Sequence, residues 1–149
     1  MVVTGTINEI LKQKGTVVWS ISAEATVFEA LQLMADKNVG SLLAMAGDQL
    51  VGIVSERDYT RKVAIKGKSS RETKVREILS APIISATPAH TVQDCMRLMT
   101  TNRVRHLPIL DSAKVIGVVS IGDLVNWIIS AQSEAISQLE SYISGQYPG

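Results

Sequence analysis

Hydrophobic and polar positions along this chain spell one pattern and then spell it again, displaced by 65 residues with no gap from about Val18 to Val125. Ser20 aligns with Ser85, Thr26-Val27 with Thr91-Val92, Leu33-Met34 with Leu98-Met99, and Leu42 with Leu107. The stretch Gly52-Ile-Val-Ser-Glu-Arg-Asp58 falls on Gly117-Val-Val-Ser-Ile-Gly-Asp123. Self-similarity at a fixed period marks a duplicated structural unit.

Each copy predicts the same elements. A short β-like run opens it, Val17-Val-Trp-Ser20 or Pro82-Ile-Ile-Ser85. Thr26-x-x-Glu29 or Thr91-x-x-Asp94 then caps a helix, because Thr and an acidic side chain three residues on satisfy its orphan N–H groups. Val27, Ala30, Leu31 and Met34 form one apolar stripe on that helix; Val92, Cys95, Met96 and Met99 form the other. Two apolar runs follow around a turn, Ala46-Gly-Asp-Gln49 in the first copy and Asp111-Ser-Ala113 in the second, which predicts a hairpin. A second helix starts at Ser55 or Ser120. The unit is therefore β-α-β-β-α, and the fold class is α/β (α+β).

A unit of about 50 residues buries too little apolar surface to be stable alone, so two copies packed about a pseudo-twofold axis and sharing one core are expected. The organisation read from the pattern is an N-terminal helix over 1–16, capped by Thr6-x-x-Glu9, and a first repeat over 17–66. A linker with a short helix (67–81) leads to a second repeat over 82–130, and a helical extension and tail occupy 131–149. On the long last helix Leu124, Ile128, Ala131, Ala135, Leu139 and Tyr142 make an apolar stripe that outlasts the repeat, which predicts a homodimer.

Composition narrows the chemistry. One Phe, three Tyr and two Trp make the core aliphatic and leave few platforms for stacking single-stranded bases. Net charge is +1, with one basic concentration from Arg57 to Arg76, which reads as a solvated linker face or a phosphate-facing one. The single cysteine, Cys95, lies among core positions and excludes an internal disulfide. Two histidines and one cysteine make no zinc cluster, so no metal is expected. No apolar run reaches membrane-spanning length and no signal peptide precedes the fold, which points to a cytoplasmic protein with no membrane partner.

The paired G-h-h-S-x-x-D endings (h apolar) and the stretch Arg105-His-Leu-Pro-Ile109 resemble the CBS domain pair, or Bateman module, named after cystathionine β-synthase. Within that family, Glu56-Arg-Asp-Tyr59, Gly67-Lys-Ser-Ser70 and Val119-Ser-Ile-Gly-Asp123 are similar to stretches of stand-alone proteins of bacteria and plant mitochondria. The resemblance implies a regulatory module that binds adenine nucleotides (AMP, ADP or ATP, and also NAD(H)), senses energy or redox state, and acts on an unidentified target protein. It implies ribose contacts at Ser55 and Asp58 and at Ser120 and Asp123. Phosphate and base contacts fall on Arg105 and His106, with Leu107, Pro108, Ile84 and Ala86 shaping the adenine slot. Arg57 stands where the second copy has Gly122 and adds phosphate charge to the first site; Gly40 and Ser41 stand in place of Arg105 and His106, so the two sites are not equivalent.

The chemistry is sound on its own terms. An ionised aspartate accepts from both hydroxyls of a ribose cis-diol. Ser-x-x-Asp before a helix is also a capping box, and the two roles coexist where one carboxylate oxygen caps and the other is left open. No nucleophile–base pair and no G-x-x-x-x-G-K-[ST] phosphate loop is present, so catalysis is not expected. Two other readings remain: empty clefts in a purely structural dimerisation unit, and nucleic-acid binding through 57–76, which predicts steep salt dependence.

Overall fold

The computed structural model describes residues 4–15, 17–79 and 83–143. The chain runs α1 (Ile7–Lys14), β1 (Ser20–Ser22), α2 (Val27–Lys37), β2 (Ser41–Ala46), β3 (Gln49–Ser55) and α3 (Glu56–Tyr59). One π-helical stretch, Thr60–Ala64, continues α3, and a 3-10 turn lies at Val75–Glu77. The second repeat holds α4 (Val92–Asn102), β4 (His106–Asp111), β5 (Lys114–Ser120) and the long α5 (Ile121–Ile143).

The duplication holds down to single backbone features. Both hairpins are antiparallel, with a bulge at Ala44/Met45 in one and at Ile109/Leu110 in the other. The helix α2 stops at left-handed Asn38 (φ 55°) and α4 at left-handed Arg103 (φ 54°). All three N-caps predicted from Thr-x-x-acid form: Thr6, Thr26 and Thr91 each accept from the backbone N–H three residues on.

The opening strands differ from expectation. Residues 17–19 are not strand; β1 begins at Ser20 and pairs in parallel with Leu43–Met45 of β2. In the second copy Pro82 lies outside the described residues, 83–85 are not strand, and a single parallel bridge joins Ala86 to Ile109. Apolar character misplaced both strands by about three residues, because pairing begins only where the chain reaches β2 or β4. Val17 is 72% exposed and in no strand among the described residues.

Buried residues form two clusters rather than the single shared core that the length suggested. Val27, Ala30, Met34, Leu42, Ala44, Val54 and Val63 of the first repeat pack with Val75 and Ile78 of the linker. Val92, Cys95, Met99, Leu107, Ile109, Val119 and Leu124 of the second pack with Ile7, Ile10 and Leu11 of α1. Each cluster is completed by the segment preceding the other repeat. That exchange is itself a repeat: Ile7-Asn-Glu-Ile-Leu11 and Val75-Arg-Glu-Ile-Leu79 are near-copies displaced by 68 positions, not 65. Thr6 bridges to Thr91, and Lys74 bridges to Thr26.

The exchange explains the glycine in each G-h-h-S-x-x-D ending. A Cβ on Gly117 would lie 2.7 Å from Leu11 Cδ2, and one on Gly52 would lie 3.2 Å from Leu79 Cδ1. Only a bare backbone lets the docked leucine approach the strand so closely.

Helix α5 behaves in two parts. Leu124 is fully buried and Ile128 half-buried against the second repeat. Beyond Ala131 the helix leaves the body: Ala135 is exposed and Leu139 is 59% exposed, so the stripe there is not buried among the described residues. The side chain of Tyr142, assigned to that stripe from sequence, lies outside the described residues. No described helix is long and apolar enough to cross a membrane.

Candidate functional site: two capped strand-to-helix junctions

Each Ser-x-x-Asp lies where the hairpin's second strand turns into a helix. The Ser55 Oγ accepts from the Asp58 N–H (3.2 Å), and Asp58 Oδ2 accepts from the Ser55 N–H (2.9 Å) and hydroxyl (3.0 Å). The Ser120 Oγ accepts from the Asp123 N–H (3.1 Å), and Asp123 Oδ2 accepts from the Ser120 N–H (2.8 Å). Both motifs are therefore capping boxes, each of which satisfies orphan N–H groups and stabilises its helix by about 1 kcal/mol.

A lysine sits on each carboxylate, but from different places. Lys62, one turn along the same helix, lies 3.3 Å from Asp58 Oδ1 and donates to the Ile78 carbonyl (2.8 Å). Asp123 is met by Lys14 from the end of α1, which donates to Asp123 Oδ2 at 2.6 Å and to the Val118 carbonyl at 2.8 Å. Both oxygens of Asp58 are thus engaged, whereas Oδ1 of Asp123 has no hydrogen-bond partner among the described residues. Lys14 escaped the sequence reading because it precedes the first repeat yet serves the second. The 68-residue near-copy of its helix was the signal that places it there.

Charge gathers at the second junction. His106 pairs across the hairpin with Ser120, and the Arg105 carbonyl accepts the Ile121 N–H that starts α5 (2.8 Å). The equivalent places in the first copy are Ser41, paired with Ser55, and Gly40, whose carbonyl accepts from Glu56 N–H. Burial pushes the His106 imidazole below its ordinary pKa; Asp123 opposes this, while Lys14 and Arg105 add to it, so the imidazole feels all three charges. For Asp123, burial works to raise the pKa, yet the Lys14 and Ser120 hydrogen bonds outweigh it and hold the carboxyl below its usual range. The aspartate is ionised at neutral pH.

The remaining predicted residues divide. Arg57 projects from α3 into solvent, and Arg105 is also exposed. The side chains of Leu107 and Ala86 belong to the second repeat's core and Pro108 is fully buried, so they do not line an open slot. Backbone groups there are already paired, Ala86 N–H to the Pro108 carbonyl (3.1 Å) and Leu110 N–H to the Ala86 carbonyl (2.9 Å). Ile84 is half-buried against the same cluster. A cavity of about 690 Å³ opens between the repeats, walled by Ser20–Ser22, Met45 and the Gly47–Asp48 turn on one side and by Lys114 and Val115 on the other. None of the candidate site residues read from the sequence lines that cavity.

Other sequence-level candidates settle into structural roles. The Cys95 thiol is pushed up to about 11, first by burial and then by Asp94, and stays protonated. Trp127 donates to the Thr4 carbonyl at 2.8 Å, and Lys37 lies over the Trp19 ring at 4.6 Å. His90 Nδ1 accepts from the Thr87 N–H at 2.8 Å. The basic stretch is partly spent internally: Lys74 and Arg76 pair with Glu24, and Arg71 stacks on Phe28. That leaves less free cation for nucleic acid than the sequence count suggests.

A β-α-β-β-α unit and a second whose opening strand is reduced to the Ala86–Ile109 bridge, with matched hairpin registers and matched capped junctions, define a tandem α+β repeat module. The repeat is the CBS domain, whose family model matches residues 15–65 and 75–130, and the chain belongs to that family. It is 39% identical to the mitochondrial CBS domain-containing protein CBSX3 of Arabidopsis thaliana over 95% of this chain and 73% of that one. It is 32% identical to the CBS domain-containing protein YhcV of Bacillus subtilis over 73% of this chain and 77% of the relative. A solved CBS-domain protein of Burkholderia ambifaria shares 44% identity with a TM-score of 0.82, covering 86% of this chain and 96% of that chain.

Proposed function

We propose that this CBS pair is a non-catalytic regulatory module that binds an adenine nucleotide at the second junction and changes the behaviour of a partner protein. One observation supports the choice of junction: Asp123 is capped through Oδ2 with Oδ1 open, beside Arg105, His106 and Lys14. A ribose cis-diol takes the open oxygen, and AMP, ADP, ATP or NAD(H) brings phosphate to the cations. The first junction has both carboxylate oxygens engaged and neutral Gly40 and Ser41 nearby, so it binds more weakly or stays empty. The Burkholderia neighbour is provisionally designated a signal-transduction protein, which agrees with a regulatory role. The compartment follows the target: a relative is mitochondrial, and cytoplasmic residence is the expectation for this chain.

Self-association belongs to the same reading. Ile129, Ile136 and Ile143 recur every seven residues on the exposed face of α5, and Val125 and Leu139 stand four residues before Ile129 and Ile143. Apolar residues at this alternating spacing, interrupted by Gln132, form the seam of a helical pair, and the occupant is a second copy of this chain. A structural neighbour, the CBS-CP12 protein of bloom-forming cyanobacteria, is hexameric.

Calorimetric titration with AMP, ATP and NADH tests the reading on wild type, Asp58→Ala and Asp123→Ala. Binding by wild type and by Asp58→Ala, with loss in Asp123→Ala, is the expected result. No heat from folded wild type at millimolar nucleotide would reduce both motifs to helix caps. Loss in Asp58→Ala alone would move the site to the first junction.

A further inference from the structure

Lys14 occupies an unusual position for a residue of the second site. It lies in the last turn of a helix that precedes the first repeat, where a cation ordinarily serves the helix's own carbonyls. Its ammonium instead crosses to the second repeat and binds the Val118 carbonyl and Asp123 together. In the first repeat that duty falls to Lys62, on the same helix as its aspartate. The position matching Lys62 in the second repeat is Trp127, whose ring N–H is taken by Thr4. The second junction has therefore no lysine of its own on α5 and takes its counter-cation from α1.

That substitution has a chemical consequence. Lys62 is held by an i,i+4 placement and by Ile78. The Lys14 side chain is as exposed as that of Lys62 (35% and 34%), but it comes from another element, it leaves Oδ1 of its aspartate open, and Gly15 after it stands in open space at φ 90°. An ammonium has three donors, so the hydrogen bonds to Val118 and Asp123 can persist while the third meets a ligand. We propose that Lys14 is the phosphate-specificity residue of the second junction. Its ammonium holds Asp123 Oδ2 and the Val118 carbonyl while the site is empty, and its third N–H donates to the ligand's phosphate once the ribose has taken Oδ1. The inference rests on the nucleotide reading of that junction.

A nucleoside without phosphate fills the open Oδ1 and gains nothing from the ammonium. A nucleotide supplies a second anion for it. Wild type accordingly prefers AMP over adenosine by more than the contribution of Arg105 alone, and removing the lysine narrows that preference without weakening adenosine.

The test is calorimetric titration of AMP and adenosine, in an Asp58→Ala background that silences the first junction, with Lys14, Lys14→Met and Lys14→Arg compared. The exposed side chain makes unfolding of the variants unexpected, and a thermal melt checks it. Lys14→Met should lower the AMP-to-adenosine affinity ratio about tenfold, the size of one charge-assisted hydrogen bond, with adenosine binding equal or tighter. Lys14→Arg should restore most of the ratio. An unchanged ratio in Lys14→Met, with AMP still bound, overturns the role of Lys14 and leaves the nucleotide site standing. A fall in both affinities by the same factor also overturns it, since that is the mark of a merely structural contact. No AMP binding by the folded Asp58→Ala parent brings down the site and this inference together.

Discussion

The pairing of Leu11 with Gly117 is the sharpest test of the exchange that ties α1 to the second repeat. Leu11 is 4% exposed, and its Cδ2 comes within 2.7 Å of the place a Cβ on Gly117 would fill. Leu11→Ala removes a buried isobutyl group over a rigid strand, which costs about 2–4 kcal/mol. Gly117→Ala drives a methyl into Leu11 and costs about 1–3 kcal/mol, depending on how far the leucine can retreat. In the double variant the new methyl enters the space the leucine vacated. Its cost should fall short of the sum by about 1–2 kcal/mol, which is the coupling expected of residues in contact. Gly52→Ala is the internal control: Leu79 stands off at 3.2 Å and is only half-buried, so the penalty there is smaller. Urea unfolding followed by Trp127 fluorescence in a Trp19→Phe background reads the second cluster, Trp19 fluorescence in a Trp127→Phe background reads the first for Gly52→Ala, and a loss of about 3 kcal/mol lowers the midpoint by about 1–3 M. Additive costs, or equal penalties for Gly52→Ala and Gly117→Ala, would refute the docking of α1 on β5.

Two further outcomes follow from the electrostatics and from α5. The depressed pKa of His106 means that the unfolded chain takes up a proton before the folded one does. Its contribution is therefore complete above the ordinary histidine value of about 6.5 and is lost as pH falls below it. Melting temperature should drop between neutral pH and pH about 5 in wild type and less in His106→Gln; equal slopes would show that the imidazole is not held neutral by its site. Sedimentation should find wild type as a dimer and Ile136→Glu as a folded monomer, since a carboxylate in the seam is buried only in the pair. A monomeric wild type, or a dimeric Ile136→Glu, would remove α5 as the interface.

Local signals were legible wherever they act over three or four residues. Thr6, Thr26 and Thr91 cap as their spacing requires, and both hairpins turn where Gly47 and Ser112 predict. Signals that depend on a partner distant in sequence were not. The valines and Trp19 before β1 are apolar enough for a strand, but pairing is decided by where β2 passes, and that is Leu43 onward. The family resemblance assigned Leu107 and Ala86 to a slot, yet they lie in one buried cluster with Ile7, Ile10 and Leu11 of the exchanged α1. Lys14 was invisible for the same reason. A three-residue difference between the 65-residue register of the repeats and the 68-residue register of the exchanged segments concealed the element that delivers it.

On the proposed nucleotide reading, the serine and aspartate of the second motif answer two demands that are physically one. A carboxylate waiting for ribose has to be ionised, fixed in rotamer and still open on one side. The capping box supplies all three at Asp123: the Ser120 N–H and Lys14 hold the charge, the reciprocal bond from Asp123 N–H to Ser120 fixes the side chain, and only Oδ2 is consumed. Binding then does not have to meet the entropy of ordering that side chain. At Asp58 the same box forms, but Lys62 closes the second oxygen, so preorganisation there serves the helix alone. Duplication explains why the motif occurs twice. The different origin of each lysine explains why the two copies need not do the same work.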